Sequence, residues 1–285
     1  AVTKIVTKDN VVTGVVTTKE SYACEAVIIA TGGASYPLTG STGDGYRLAE
    51  GVGHSITDIR PSLVPIVTEE SWVKDIMGLS LRNVEVSIVS KEKVQAKMFG
   101  EMMFTHFGVT GPTILSLSHT VGKLLRKKKT APIAVSINLK PALTAEVLDK
   151  RLQKDFDLYS KKQLANGMKD LLPSNLIPII ISLAKLDPAK PINQITKEER
   201  QQLCHVLQHM TLTVKGLRPV EEAIVTAGGI SLKEFNPKTM ESKLVKGLYG
   251  AGEVLDIDAF TGGYNLQAAF STGYVAAMHI VHGEV

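Results

Sequence analysis

The chain has 285 residues, 44% of them hydrophobic and 21% charged, and its 32 Lys+Arg against 28 Asp+Glu give a formal charge of +4. That balance excludes an intrinsically disordered chain and a collagen-like repeat, and the length accommodates one large domain or two modest ones, each with its own core. Two cysteines, Cys24 and Cys204, fit neither a disulfide framework nor a CxxC metal site, which points to a reducing, cytoplasmic compartment.

The first residues, Ala1-Val2-Thr3-Lys4-Ile5-Val6-Thr7, alternate like a strand, where a secretory leader shows a basic start and an apolar core. With no initiating Met before that strand, the chain is expected to be a processed form or a fragment whose upstream part is missing. Residues 4–7 and 11–18 read as strands of a small antiparallel sheet, with Asp9-Asn10 and Gly14 as turn or bulge positions. Next, Ala26-Val27-Ile28-Ile29-Ala30 is a continuous apolar run ending in Thr31-Gly32-Gly33. This is the pattern of a strand buried on both faces that delivers a glycine turn at its carboxyl end, where open α/β sheets bind ligands. Ser41-Thr42-Gly43-Asp44-Gly45 supplies cap and turn residues before a short helix over 46–50 that stops at Gly51 and Gly53.

Between 61 and 142, short β-like runs at 64–68, 84–90, 94–99 and 133–138 predict a compact barrel or sandwich. One helix is expected to interrupt it after Gly111-Pro112, carrying Ile114, Leu115, Leu117 and Val121 before a basic run over 123–129. From 144 to 210 the reading is helical, and its clearest start is the capping box Thr196-Lys197-Glu198-Glu199. The apolar stretch 176–184, broken by Pro178 and Ser182, falls well short of the roughly 20 residues a membrane-spanning helix needs, so no membrane partner is expected. Two more strands, 211–214 and 222–226, precede Gly228-Gly229, and Gly247-Leu248-Tyr249-Gly250-Ala251-Gly252-Glu253 reads as a strand entering a turn. The closing helix, 264–281, places Leu266, Phe270, Gly273, Ala277 and Ile280 on one face, while Ala268, Ala269 and Ala276 keep it slim.

Three apolar strands thus end in Thr31-Gly32-Gly33, Ala227-Gly228-Gly229 and Gly250-Ala251-Gly252-Glu253, and each is expected to leave backbone amides bare for a flat or charged ligand. Together they suggest a nucleotide-type cofactor. A complete dinucleotide-binding unit is absent, because no GxGxxG occurs and Leu255 stands where the last cluster needs its third glycine. Thr261-Gly262-Gly263-Tyr264-Asn265-Leu266 feeds directly into a helix whose first amides carry partial positive charge. A flavin whose pyrimidine edge lay there would have its reduced, N1-anionic form favoured. Glu253 reads either as an acceptor for a sugar-like polyol or as a solvated carboxylate.

On Ala30-Thr31-Gly32-Gly33, Thr42-Gly43-Asp44-Gly45, Phe104-Thr105-His106-Phe107-Gly108-Val109-Thr110-Gly111-Pro112, the block from Gly247 to Asp256 and Thr261-Gly262-Gly263-Tyr264-Asn265, the sequence resembles the aminoacetone-oxidase-like family of bacterial FAD-dependent oxidoreductases. The likeness covers essentially the whole chain in the right order, and Thr42 to Gly45 also resembles fumarate-reductase-type flavoproteins. It implies an α/β plus α+β fold, a partial glutathione-reductase-like FAD domain over 1–60 and 226–285. A β-barrel-like insertion over 61–142 and 211–225 and a helical subdomain over 143–210 would interrupt it. It implies FAD lined by Ala30, Thr31, Gly32, Gly33, Gly252 and Glu253, with Gly263, Tyr264, Asn265, Leu266 and Gln267 meeting the flavin ring. That family opens with a GxGxxG βαβ unit holding the ADP half of FAD, and nothing here corresponds to it, so FAD loses its main anchoring contacts in this chain taken alone.

The function expected is a FAD-dependent oxidoreductase acting on a small organic substrate. Amine oxidation and reduction of a conjugated carbonyl are both open, with dioxygen or NAD(P)H as electron partner. The alternative is a catalytically inactive fragment or interaction module. No catalytic residue is assigned: His106 is a proton donor or substrate ligand, or else structural, and Asp256, Asp258 and Tyr264 touch substrate or merely cap turns. The run Lys123-Leu124-Leu125-Arg126-Lys127-Lys128-Lys129 has no interleaved aromatics and reads as a helix end opposing its dipole, so no nucleic-acid partner is expected. No HExxH, Walker loop, GxSxG or paired-cysteine spacing supports a metal, NTPase or hydrolase reading.

Overall fold

In the computed structural model, which describes residues 1–127 and 131–283, the opening alternation becomes an antiparallel sheet of β1 (Val2–Lys8), β2 (Val11–Thr17) and β3 (Ser21–Ala23). Asp9 and Asn10 form the two-residue turn, both left-handed at φ 54° and 59°, the twist a tight hairpin requires. The apolar run gives β4 (Val27–Ile29), followed by α1 (Asp44–Glu50) and β5 (Arg60–Ser62).

The next stretch supplies β6 (Ile66–Thr68), β7 (Ser80–Ser90), β8 (Lys93–Thr105), β9 (Gly108–Thr110), α2 (Pro112–Leu125) and β10 (Ile133–Asn138). It continues as α3 (Ala145–Leu158), α4 (Leu164–Gly167), α5 (Ile177–Leu183), α6 (Lys197–Gln208) and β11 (Met210–Leu217). The strands close into a six-stranded barrel in the order β10-β11-β6-β9-β8-β7, so the choice between barrel and sandwich resolves to a barrel. Strict alternation explains it: Val86 and Ile88, or Val135 and Ile137, are fully buried, while their neighbours Ser87 and Ser136 face outward. Pro112 starts α2 where its missing N–H costs nothing, and Ile114, Leu117 and Val121 join the buried core of the barrel. Lys128 and Lys129 of the basic run lie outside the described residues.

The helical stretch shares that buried core through Leu148, Leu152, Ile180, Leu203 and Leu207. Thr196 caps α6 as the sequence predicts: its hydroxyl accepts the Glu199 amide, and the Glu199 carboxylate accepts the Thr196 amide. Arg200 ties α6 to α3 through Asp149 at 2.6 Å.

The chain ends with β12 (Val225–Ala227), β13 (Leu248–Gly250) and α7 (Tyr264–His282). β12 pairs antiparallel with β5, and β13 pairs parallel with β4. Backbone contacts divide the chain into two units, Ala1–Val64 with Arg218–Val285, and Pro65–Leu217. Each has its own hydrophobic core. The structure is thus mixed α/β with a closed barrel. Among the described residues no helix is long and apolar enough to cross a membrane.

One reading needs correction. β4 is not buried on both faces: Ile29 is 3% exposed but Ile28 is 39% exposed, because β13 is its one partner strand among the described residues. On α7, Leu266 and Phe270 of the apolar face are 64% and 70% exposed. The helix packs through its small side, with Ala276 buried and Ala269 facing Gly252.

Candidate functional site

The site is built where β4, β12 and β13 end. Ala251 N–H donates to Ile29 O at 3.0 Å, which extends the parallel pairing into the glycine turns. Thr226, in the middle of β12, locks the β4 turn: its hydroxyl oxygen accepts the amides of Ala34 and Ser35 at 2.8 and 3.1 Å. Its own N–H donates to Glu253 Oε1 at 2.7 Å, and Ser35 Oγ donates to the same oxygen at 3.1 Å. Gly33 is glycine because a Cβ there would lie 2.3 Å from Thr226 Oγ1 and 2.5 Å from Glu253 Oε1. Gly45 is held likewise, its absent Cβ leaving room for Thr31 Oγ1 and Val254. The structure therefore brings Gly33, Glu253, Thr226 and Ser35 into one hydrogen-bonded knot, with Thr31 against α1.

Of the two readings of Glu253, the fully solvated carboxylate does not fit, because one oxygen is held by the protein. Oε1 is committed inward to the Thr226 amide and the Ser35 hydroxyl, while Oε2 takes no hydrogen bond among the described residues. The sequence signal that could have found this is Thr226, a polar residue in an apolar strand. The Gly228-Gly229 cluster does not offer bare amides. Both residues are buried, a Cβ on Gly228 would lie 2.2 Å from Asp58 O, and Gly229 N–H donates to Thr57 Oγ1 at 3.0 Å. These glycines serve close chain packing, as glycine does where two backbones meet.

The second part of the site is the start of α7. Gly263 is its cap at φ 92° and supplies no capping side chain, which leaves the first turn, Tyr264 to Leu266, at the positive end of a 19-residue helix. Asn265 turns back instead of outward: its Oδ1 accepts Ala259 N–H at 2.8 Å and its Nδ2 donates to Ala259 O at 3.0 Å. Gln267 donates to Ser271 at 3.1 Å, and Tyr264 is exposed. Two turns on, Thr272 Oγ1 accepts Gly252 N–H at 2.9 Å, which docks the helix on the β13 turn. Tyr264, the first residue of α7, thus lies about 7.5 Å along the helix axis from Ala269.

The other sequence candidates are placed as follows. Ala30 and Thr31 are exposed, and Gly32 is half-buried at φ 73°. Asp258 accepts Ser62 Oγ at 2.8 Å. His106 lies exposed in the β8–β9 turn of the barrel unit, edge-on to Phe107 at 4.8 Å.

Two features have no counterpart in the sequence reading. Tyr46 on α1 is 8% exposed and its hydroxyl is buried without a hydrogen-bond partner among the described residues. Burial pushes its pKa up to about 12, with the Glu253 charge adding to the effect. A buried orphan hydroxyl costs on the order of 1–3 kcal/mol unless something meets it. His54, Glu234 and Ser242 form the second feature: Nδ1 lies 2.8 Å from Glu234 Oε2 and Nε2 lies 2.8 Å from Ser242 Oγ. The geometry matches a hydrolytic triad, yet His54 is 4% and Ser242 7% exposed. Ser242 Oγ also accepts the amides of Leu244 and Val245 at 3.0 and 2.9 Å, so the trio clamps a loop. Beside β4 a hollow of about 250 Å³ is lined mostly by apolar side chains, among them Val2, Val15, Ile28 and Leu48.

Residues 60–225 match the family model described as HI0933-like protein barrel and H2TH domain. The chain belongs to this HI0933-like family. It is 31% identical over 261 residues to the ribosomal RNA dihydrouridine synthase of Haemophilus influenzae, covering 91% of this chain and 61% of that protein. It is 30% identical over 261 residues to the protein of the same name from Escherichia coli, covering 90% and 61%. It is 28% identical over 257 residues to the 3-dehydro-bile acid delta(4,6)-reductase of Clostridium scindens, covering 90% and 62%. The chain therefore spans about three-fifths of the length of these relatives.

Proposed function

We propose that this chain is the larger part of a flavin-dependent reductase that saturates a carbon–carbon double bond conjugated to a carbonyl. The observation that carries the proposal is the strand-end knot and the glycine-capped first turn of α7 in one unit, with the Tyr46 hydroxyl close enough to feel the Glu253 charge. Gly252, Glu253 and the turn from Ala30 to Gly33 would border the cofactor, and the amides of Tyr264 to Leu266 would face the ring edge that gains negative charge on reduction. The group, when bound, supplies two-electron reduction. Asn265 keeps those amides in place by fastening the preceding loop.

Of the two chemistries open at the outset, reduction is favoured over the amine oxidation that an aminoacetone-oxidase-like reading carries. A dihydrouridine synthase and a bile acid delta(4,6)-reductase share one demand on their substrates, since uracil and a 3-oxo-4,6-diene both place C=C beside C=O. The substrate we favour is uracil in RNA. Two relatives at 30% and 31% identity carry that name, against one at 28% for the steroid.

FAD titration of the purified chain, read by quenching of flavin fluorescence, tests the cofactor site. Wild type is expected to show saturable quenching. Tyr46→Phe is expected to bind FAD several-fold more weakly yet unfold later in urea, by about 1 kcal/mol, because the orphan hydroxyl is gone. No quenching by wild type, followed by no product from uridine-containing RNA with a form extended to the length of the relatives, would overturn the reading.

A further inference from the structure

The barrel unit carries a basic corner that the strand-end site does not use. Pro65–Leu217 holds 22 of the 32 Lys+Arg and 14 of the 28 Asp+Glu, a formal +8, while the remaining residues sum to −4. Part of that excess gathers where β7, β10, β11 and the end of α2 meet. Val89 and Thr213 both pair with Ala134, so β10 separates them by two strand spacings, about 10 Å. β7 and β11 run in the same direction past β10, and Lys91 and Lys215 each stand two residues further on. Lys91 and Glu92 make the two-residue turn into β8, both left-handed at φ 53° and 58°, and Lys93 pairs with Ser90. Lys215 is the extra residue of a bulge, between Val214, which faces Thr68, and Gly216, which faces Val67.

The end of α2 joins them. A Cβ on Gly122 would lie 3.5 Å from Leu217 Cδ1, which sets Lys123 beside the end of β11. Arg126 and Lys127 follow on the way to Ile133, the partner of Ser90. Opposition to the helix dipole accounts for cations in the last turn of α2, but not for Lys91, Lys93 and Lys215, which a hairpin and a bulge bring to the same corner. All six cations are exposed, and among the described residues none is ion-paired. The carboxylates nearby are Glu92 in the turn and Glu69 and Glu70 beside Thr213, and Glu70 is engaged by the Thr213 amide at 2.8 Å.

The corner offers charge without a stacking surface. Phe99, the exposed aromatic residue of β8, pairs with Glu85, which faces Asn138 at the other end of β10. Single-stranded RNA is held through its bases on planar side chains, whereas a double-helical stem hides its bases and presents phosphates. Nor is the corner built to enter a lipid surface: Ile114, Leu117, Val121 and Leu124 turn the apolar side of α2 into the barrel core, and of its large apolar residues Leu125 alone is exposed.

We infer that this corner docks the phosphate backbone of a double-helical RNA stem. The inference rests on the reading of the substrate as uracil in RNA, because it supplies the surface that holds the RNA carrying that base. The test is fluorescence anisotropy of the full chain with a labelled RNA hairpin whose stem has about 16 base pairs, the span that shape-reading RNA modules cover. Wild type is expected to bind with an affinity that falls steeply as salt rises. Lys91→Glu and Lys215→Glu are each expected to weaken binding about tenfold and to lower the slope of log affinity against log salt by about one. Lys161→Glu, the same charge change at an exposed position between α3 and α4, should alter binding less than about twofold, and circular dichroism checks that each variant is folded. A wild type that does not bind at low salt, or that loses no more to Lys91→Glu and Lys215→Glu than to Lys161→Glu, overturns the corner. Tighter binding to phosphatidylserine vesicles than to the stem, through the same lysines, overturns it too, since the corner then meets a membrane surface. A flavin-loaded, length-extended form that reduces uridine in RNA equally well with and without Lys215→Glu overturns the corner and spares the reductase reading. Corner-dependent binding by such a form that reduces no uridine supports the corner while sinking that reading.

Discussion

The closed ladder of the barrel and the β4–β13 pair of the strand-end unit finish differently. In Pro65–Leu217 six strands close on themselves, and Val86, Ile88, Val135, Ile137 and Phe104 are all fully buried. In the other unit β4 has a single neighbour strand among the described residues, and α7 holds Leu266, Phe270 and Tyr274 out to solvent. Closure removes the edge that a strand otherwise leaves unpaired, so the barrel satisfies its backbone from within. A parallel pair needs cover on both faces, and while β13 is buried throughout, β4 leaves Ile28 39% exposed. The barrel unit is therefore expected to be the stable body of the chain, and the strand-end unit the adaptable one.

The sharpest way to break that comparison is to hollow out the barrel. Phe104→Ala is expected to cost about 3–5 kcal/mol, since it removes a wholly buried aromatic from a close-packed core. Trp72, the chain's single tryptophan, sits 6.1 Å from Phe104, so its fluorescence reports this unit in a urea titration. An unmoved midpoint would mean that the barrel is not the stable body.

Gly33→Ala probes the other unit. The added methyl collides with Thr226 Oγ1 and Glu253 Oε1, the two atoms that organise the knot, and overpacking of this kind costs about 1–3 kcal/mol. The amides of Ala34 and Thr226 should exchange faster with solvent, while the Trp72 transition stays where it is. If the Trp72 midpoint fell by as much, the two units would be unfolding together and the contrast would be lost.

How much of this was legible in the sequence follows the same divide. The barrel strands, the capping box at Thr196 and the start of α2 at Pro112 were readable because each depends on its own few residues: period-two burial, reciprocal side-chain caps, a proline in the first turn. β5 and β9 were not, since Pro61 and Gly108 break the strand pattern and only their partners make them strands. In the strand-end unit the turns were legible but their roles were not. Nothing local distinguishes Gly33, which is excluded from carrying a side chain by Glu253, 220 positions away in sequence, from Gly228, which is excluded by the Asp58 carbonyl. Likewise the helical period placed Leu266 and Phe270 on one side of α7 correctly, but which side packs was decided by Thr272 and Ala269 meeting Gly252.

Acid should separate the units too. The Arg200 hydrogen bond holds the Asp149 pKa below the usual carboxylate value, against a smaller opposing effect of burial. A carboxylate whose folded pKa is lowered adds stability above its unfolded pKa, near 4, and loses it as pH falls toward the folded value. Asp149→Asn is thus expected to cost about 1 kcal/mol at pH 7 and almost nothing near pH 2, read by Trp72 in urea. An equal loss at both pH values would show that the α3–α6 link is not electrostatic.

The mildest change tests whether α7 is limited by its own helix chemistry or by what covers it. Gly273 lies mid-helix with open space where a Cβ would go, so Gly273→Ala meets no neighbour and gains helix propensity. It is expected to stabilise the helix by about 0.5–1 kcal/mol, visible as slower amide exchange along α7 with no change at Trp72. A loss of stability instead would mean that this face is already covered in solution, most simply by a second molecule packing against Leu266 and Phe270, and the open edge ascribed to this unit would then be an interface.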